Sequence, residues 1–437
     1  MRRVGIIGGG AAGIVAAIAA ARNDRQAEVF ILEQNERIGR KILATGNGRC
    51  NLTNRQAVSS CVESCYRGED IGFAKSVLAQ FGYEDTLRFF SSLGLVVRMR
   101  GDYAYPRSEQ ASAVLEVLEL ELKRLGVKIY CRVKVESVVK EQTRFCIRVT
   151  ERFQDGKQGA LIPEARGHGQ RNEKMMKHTF RADRVILACG GMAAPVFGSD
   201  GNGFRLAKSL GHSVASVVPS LVQLRAKNHP FGKASGVRTE AAVTALVDGE
   251  AVFSDRGEVQ ITAYGISGIP VFQISRFLAM GLLEKKRSEV LLDFLPEYSK
   301  EEVFGLLVKL AGNRKNLTAE EWLAGIFNRK LIPRILEQAK VRMQTQVSDL
   351  DERKIREVAK KCKGIVLSVQ DTNGFENAQV SAGGVRTREI SPQTMESLCV
   401  DGLYLVGELL DVDGICGGFN LQWAWATGYL AGKAAVL

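Results

Sequence analysis

The chain has 437 residues, 45% of them apolar and 25% charged, with a formal charge of +12. That balance excludes a disordered or collagen-like chain and supplies core for two or three domains. The cationic excess suits nucleic acid, an anionic membrane surface or an anionic ligand, and does not choose among them. The nine cysteines are scattered, with no C-x-x-C, and the histidines number only four. Those counts point to a reducing, cytoplasmic setting without structural disulfides, zinc or a histidine-based metal site.

The N-terminus has two readings. MRR followed by apolar residues from Val4 to Ala21 resembles a secretory signal. Five glycines at 5, 8, 9, 10 and 13 argue instead for a nucleotide-binding turn. VGIIG (4–8) reads as a strand, Gly8, Gly10 and Gly13 complete G-x-G-x-x-G, and AAGIVAAIAAAR reads as a helix. EVFILE (28–33) is a second strand, and Glu33 lies 20 residues past Gly13. Gly8 permits the tight turn, Gly10 lets backbone approach a pyrophosphate, and Gly13 lets helix and strand pack closely. The helix N-terminus offers N–H groups to the phosphates. Glu33 accepts from both ribose hydroxyls, which favours FAD or NAD over NADP. No other run has transmembrane length without charges, so no membrane span is expected.

RKILATGNGRCNLTN (40–54) follows the acid. Gly46, Asn47, Gly48 and Asn51 favour turns, so regular structure is not expected there. The polar stretch 154–178 reads as a mobile hairpin or loop. RVILACGG (184–191) is a strand ending in two glycines, whereas GSDGNG (198–203) has the wrong spacing for a second dinucleotide turn. A dedicated NAD(P)H domain is therefore not expected. Residues 213–298 alternate in short runs and suggest an antiparallel sheet or small barrel. SKEE (299–302) and TAEE (318–321) have capping-box form, and 299–363 read as helical. This segment holds 15 Lys/Arg against 9 Asp/Glu, a net +6. It reads as solvated helix faces or as a basic cap that draws an anionic substrate. Strand character returns over 364–383. GLYLVGE (402–408) is a late strand, and FNLQWAWATGYLAG (419–432) is a helix whose N-terminus suits a flavin.

The fold class expected is thus α/β. A Rossmann-like FAD-binding domain (1–212 and 384–437) carries an inserted β-barrel-like domain (213–298 and 364–383). The barrel in turn carries a helical cap (299–363).

The strings IGRKILATGNGRCNLTN, VILACGG, GSDGNGFRLAKSLGH, AYGISGIPVFQISR, VSAGGVRTREISPQTMES and GLYLVGELLDVDGICGGFNLQWAWATGYLAG span essentially the full chain. They resemble the bacterial aminoacetone oxidase-like FAD-binding oxidoreductases, a family that includes a gut bacterial bile-acid reductase. The resemblance implies the glutathione-reductase-like flavoprotein fold. It also implies that Arg40 and Lys41 lie by the FAD phosphates or ribose. Thr45, Gly46, Gly48, Cys50 and Asn51 would then line the ribityl chain and ring. The full cofactor set becomes Gly8, Gly10, Ala11, Ala12, Gly13, Glu33, Gln34, the residues just named, Val135, Gly190, Gly191, Gly407, Glu408, Gly418, Asn420, Leu421 and Gln422. Cys416 stands where relatives commonly have Thr, and reads as a packed residue. Many relatives carry a His in the segment equivalent to TAYGISG, where Ala263 and Tyr264 stand here. Tyr264 is therefore the candidate catalytic group, as a proton donor or carbonyl polariser.

The function expected is hydride transfer between flavin and a small organic substrate. NAD(P)H-driven reduction of an enone or steroid-like acid leads. Amine oxidase-type activity and a nucleic-acid-modifying flavoprotein stay open. The basic segment lacks interleaved aromatics for base stacking, so no nucleic-acid partner is expected. NADH or NADPH is the expected co-substrate, and the oligomeric state is not legible.

Overall fold

A computed structural model of the chain describes residues 1–152 and 175–437. Most of the polar stretch 154–178 lies outside the described residues, and Met175–His178 open a strand. Two compact units emerge: Met1–Val217 with Val380–Leu437, and Val218–Gln379.

The first unit opens with β1 (Arg3–Ile7), α1 (Ala11–Asn23), β2 (Glu28–Glu33) and α2 (Arg40–Ala44). It continues with β3 (Lys128–Cys131), β4 (Val133–Glu141), β5 (Arg144–Arg152), β6 (Met175–Ala182) and β7 (Arg184–Leu187). The second unit holds β8 (Leu224–Ala226), β9 (Arg238–Val247), β10 (Glu250–Ile261), β11 (Gly265–Ser267) and α3 (Ile269–Leu283). It goes on with β12 (Ser288–Asp293), α4 (Lys300–Asn313), α5 (Ala319–Leu323), α6 (Ile332–Gln338), α7 (Glu352–Lys363) and β13 (Ile365–Thr372). The chain returns to the first unit with β14 (Leu403–Leu405) and α8 (Phe419–Ala434).

In the first unit a five-stranded parallel sheet runs β14-β7-β1-β2-β3. Its inner strands β7, β1 and β2 are largely apolar runs because both faces are covered, whereas the edge strand β3 is half exposed. Val4, Ile6, Phe30, Ile31, Val185 and Ile186 are all at 0% exposure. The segment that resembled a secretory signal is therefore core strand and core helix. α1 is buried from Ala12 to Ala21. Its small side chains let α8 come close. A Cβ on Gly428 would lie 2.3 Å from Ala12 O, and one on Gly432 would lie 2.1 Å from Ala16 O. Only glycine permits that approach. β4, β5 and β6 form a separate antiparallel sheet.

In the second unit six antiparallel strands close a barrel in the order β8-β11-β10-β9-β12-β13. The expected barrel is present, but the sequence reading missed α3 inside it. Gly268 (φ 112°) and Pro270 start that helix, and Val271, Ile274 and Leu278 bury its inner face. Short-run alternation concealed the 3.6-residue period. Ser299 and Thr318 form the two expected capping boxes, each side chain accepting from the N–H three residues on. Helices α4–α7 share one apolar cluster with the barrel. Trp322, Leu323, Ile335 and Val358 belong to it together with Val243, Val290 and Leu367. Among the described residues no helix is long and apolar enough to cross a membrane.

Candidate cofactor site

At the end of β1, Gly8 (φ 107°) turns the chain so that a Cβ there would strike Ala188 O at 2.3 Å. A Cβ on Gly13 would strike Gly8 O at 2.0 Å. These two glycines are demanded by the protein's own packing. Gly10 is different: a Cβ there meets nothing within 4 Å. It caps α1, whose first turn, including Ala11 and Ala12, presents amides without intrahelical acceptors. That open, amide-lined space suits a diphosphate.

Glu33 ends β2 with 7% exposure. Its Oε2 accepts from Gly9 N at 2.7 Å, and its Oε1 accepts from Asn35 N (2.8 Å) and Asn35 Nδ2 (2.6 Å). The carboxylate thus braces the glycine turn against the start of the next loop. Asn35 also accepts from Arg40 Nη1 at 2.7 Å and donates to Phe197 O at 3.0 Å. Gln34 donates to Gly198 O.

The 40–54 stretch is more regular at its start than expected, because RKILA is built of good helix formers and makes α2. Beyond it Gly46, Asn47 and Gly48 take positive φ. A Cβ on Gly48 also meets nothing within 4 Å. Lys41 Nζ donates to Glu408 Oε2 at 2.8 Å and to Ala193 O at 3.2 Å, so two of its three protons are spent inside the protein. Thr45 Oγ1 donates to Ile42 O. The Cys50 side chain is fully buried and burial pushes its thiol up to about 12, leaving only backbone to offer.

The Gly190–Gly191 turn is held by Ser381, whose Oγ accepts from Met192 N (2.8 Å) and Ala193 N (3.1 Å). Glu408 Oε1 accepts from Ser381 N at 2.9 Å. A Cβ on Gly191 would lie 2.6 Å from Ser381 Oγ and 2.7 Å from Glu408 Oε1. Gly407 (φ 69°) donates to Thr427 Oγ1 and accepts from Trp423 Nε1. Trp425 Nε1 donates to Leu52 O at 2.9 Å. The W-A-W of α8 therefore ties the Gly407 turn and the 40–54 stretch to one helix.

Several expected contacts are structural in their side chains. Gln422 has 0% exposure, accepts from Thr53 Oγ1 (2.6 Å) and Thr86 Oγ1 (2.8 Å), and donates to Phe81 O (3.1 Å). It bridges core elements, with both acceptor positions of its carbonyl oxygen taken and one of its two Nε2 protons spent inside the protein. Asn420 exchanges bonds with Gly414 N and O at 2.8 Å each, folding the loop onto α8. Val135 is core, and its carbonyl accepts from Asn202 Nδ2 at 3.0 Å. Gly418 (φ 95°) caps α8, and Leu421 is half-buried in its first turn.

The donor set fits FAD. Asn51 carries the clearest sign, a buried Oδ1 without a hydrogen-bond partner among the described residues. A Cβ on the helix-capping Gly418 would lie 3.1 Å from Asn51 Cγ. An orphaned amide beside an open helix N-terminus is what a ring with both donor and acceptor edges would satisfy.

Sequence reasoning missed Asn35, Ser381, Trp423, Trp425 and Thr427. Ser381 and Thr427 carried no signal, being short hydroxyls in ordinary context. The two indoles did carry one, since a buried Trp N–H needs an acceptor. In the same unit His212, Glu389 and Cys399 bring ligand atoms within 4.8 Å of one another. Ser397 Oγ already accepts from Cys399 N and Val400 N, so it donates to His212 Nε2 at 2.9 Å. The ring proton then sits on Nδ1, facing Glu389 Oε2 at 3.0 Å. A protonated Nδ1 offers no lone pair to a metal. The second unit holds Tyr264, half-buried, whose hydroxyl accepts from Asn373 Nδ2 at 3.0 Å.

A parallel sheet with a glycine turn after its first strand, a buried acid after its second and a capped final helix defines a Rossmann-type flavoprotein oxidoreductase. The chain matches the HI0933-like protein Rossmann domain over residues 2–167 and 162–434, and it belongs to that family. It is 56% identical over 435 residues to a 3-dehydro-bile acid delta(4,6)-reductase of Clostridium scindens, covering 100% of this chain and 99% of the relative. It is 28% identical to a ribosomal RNA dihydrouridine synthase of Haemophilus influenzae, over 97% of this chain and 96% of that one. A flavocytochrome c3 fumarate reductase structure aligns with TM-score 0.48 and 13% identity, over 100% of this chain and 78% of that one. The resemblance read from the motifs stands, and the chain is an FAD-binding oxidoreductase.

Proposed function

We propose that the protein reduces a carbon–carbon double bond conjugated to a carbonyl, in a steroid-like acid, with FAD as hydride carrier and NADH or NADPH as electron source. The observation that carries this reading is the 56% identity, end to end, with a bile-acid reductase. FAD, when bound, supplies a two-electron carrier. The chain's own residues do the rest. The α1 amides and Gly10 receive the diphosphate, Glu33 the ribose, and Asn51 with the α8 N-terminus the ring. Lys41, Arg40 and the other residues of the expected cofactor set hold those loops in place. Tyr264 contacts the substrate and holds or gives a proton. None of the nine cysteines forms a disulfide, which supports a reducing cytoplasmic setting.

The test is anaerobic. NADH and NADPH are each mixed with the FAD-loaded protein and flavin bleaching is followed. A 3-oxo-4,6-diene bile acid is then added, and rapid return of the oxidised flavin spectrum is expected. Bleaching by neither nucleotide removes the donor, and no response to the dienone removes the substrate class.

A second substrate class has its own support, the 28% match to an enzyme named for dihydrouridine in ribosomal RNA. A uridine ring also presents a double bond conjugated to a carbonyl, so the chemistry is shared and the scaffold differs. RNA binding that weakens steeply with salt would favour it.

A further inference from the structure

A hairpin of the first unit, Val97–Arg100 with Tyr103–Pro106, sorts its side chains by register. Arg98 pairs with Tyr105 and Arg100 with Tyr103, so these four share one face. Met99 and the buried Ala104 share the other. Asn54 pairs with Tyr103 from the opposite side and joins the first face. That face is open: Tyr103 is 43% exposed, and the Arg98 and Arg100 side chains are 51% and 43% exposed. It adjoins both segments assigned to the flavin ring, the 40–54 stretch and the loop that caps α8. A Cβ on Gly46 would lie 3.8 Å from Tyr105 Cε1 and 3.1 Å from Asn51 N. A Cβ on Gly417 would lie 3.0 Å from Tyr103 Cε1, and Asn54 Nδ2 donates to Gly417 O at 3.1 Å.

Positive charge collects on this face. The Arg49 and Arg100 guanidiniums lie 5.7 and 5.9 Å from the Tyr105 ring centroid. Arg100 donates to Glu109 Oε1, and Arg98 Nη1 reaches the same oxygen at 3.4 Å. The bond to Arg100 holds the Glu109 carboxyl below its ordinary 4.5; the charges of Arg98 and Arg49 add to that, and burial opposes it. Three guanidiniums thus surround one carboxylate and leave two positive charges over. The other acid of the hairpin, Asp102, sits in its turn and accepts from Gln56 Nε2 at 2.9 Å. Arg49 spends its Nε on Gly46 O at 3.3 Å, and among the described residues its two terminal nitrogens have no acceptor.

We propose that this face binds the anionic end of the substrate, with Arg49 pairing with its carboxylate, Arg98 and Arg100 supplying the surrounding positive field, and Tyr103 and Tyr105 packing against its apolar body. The assignment rests on the reading that the substrate is a steroid-like acid, and it names the residues that select for the acid. A planar guanidinium with uncommitted N–H groups matches a carboxylate edge to edge. Exposed phenol rings suit a flat hydrocarbon with a polar rim.

The probe is cholate, a bile acid with no conjugated double bond, titrated below its micellar concentration into the full-length protein with oxidised FAD bound. Binding is read from the flavin absorbance bands, and methyl cholate is the uncharged control. Cholate should bind at least about tenfold more tightly than its ester, as one charge-assisted hydrogen bond allows. Added salt should narrow that gap. Arg49→Gln should abolish the preference for the acid and leave ester affinity, FAD content and melting temperature unchanged; Arg98→Gln should shrink the preference. Glu109→Gln removes the competing carboxylate and should tighten cholate alone, an effect that a structural role of Glu109 does not produce. Tyr103→Ala should weaken both ligands equally. If Arg49→Gln loses FAD, Arg98→Gln and Glu109→Gln still decide, because both lie outside the 40–54 stretch. No binding of cholate, equal affinity for acid and ester, or charge variants that bind cholate as wild type does would each overturn the site. Variants that keep cholate binding but slow flavin bleaching by NADPH give the face to the donor's phosphates and overturn it too. If cholate behaves as expected but a 3-oxo-4,6-diene bile acid does not reoxidise the reduced flavin, the site stands and the proposed reaction falls.

Discussion

Lys41 and Glu408 meet at 2.8 Å across 367 positions of sequence. Their side chains are 28% and 18% exposed. The pair joins α2 to the turn after β14, and Glu408 passes the connection to Ser381 and the Gly190–Gly191 turn. Lys41→Met leaves a half-buried carboxylate without its cation and should cost about 1–3 kcal/mol. Glu408→Gln on that background should recover part of the loss, because the uncompensated charge goes. Thermal melts of the two singles and the double give the coupling. Strict additivity would mean that the contact holds nothing.

The glycines of the first turn divide by what a methyl group would meet. Gly13→Ala places a Cβ 2.0 Å from Gly8 O, so it should destabilise the whole first unit and yield colourless protein. Gly10→Ala finds no atom within 4 Å. It should melt close to wild type yet lose at least about tenfold in FAD affinity, as expected for about 1.4 kcal/mol or more. Equal loss of FAD and of melting temperature in both variants would move the diphosphate away from Gly10.

Much of this fold was legible because the relevant signals are local. VGIIG and EVFILE read correctly as strands because buried parallel strands are plain apolar runs and the turn between strand and helix leaves a glycine signature. The capping boxes of α4 and α5 read correctly for the same reason. What stayed hidden is long-range. Gln422 looks like a flavin contact in sequence, because nothing local reveals that Thr53 and Thr86 will claim its carbonyl oxygen. α3 was lost to a period that short apolar runs cannot resolve. Ser381 holds a turn nearly two hundred residues away, a role no window of sequence contains.

His212 should give the fold an acid-sensitive point. Burial holds its pKa below the ordinary 6.5, with Glu389 pulling partly the other way. As pH falls, the unfolded chain takes up that proton first. The stabilisation is therefore fully present above about pH 6.5 and declines below it, toward the lower folded pKa. His229 is shifted in the same direction and contributes in the same window. Gln at 212 can donate to Glu389 and accept from Ser397 without titrating. His212→Gln should therefore flatten the fall in melting temperature between pH 7.5 and 5.5. An unchanged slope would assign the sensitivity to other groups.

Asn51 and Gln422 lie near the start of the same helix and should behave oppositely. Gln422 satisfies two buried hydroxyls and a carbonyl, so Gln422→Leu strands all three. It should cost about 2–4 kcal/mol at the magnitudes usual for unpaired buried groups. Any flavin lost would follow the loss of fold. Asn51 carries a buried Oδ1 that the protein leaves unpaired. Asn51→Leu removes that unsatisfied group, so the apoprotein should melt at or above the wild-type temperature. Its affinity for FAD should fall by about tenfold, a hydrogen bond's worth, and the visible flavin bands should shift as one ring contact disappears. A gain in stability bought with weaker cofactor binding is the signature of a residue kept for function. If Asn51→Leu instead destabilises the apoprotein and leaves the flavin spectrum unchanged, Asn51 belongs to the core and the ring is held by other groups.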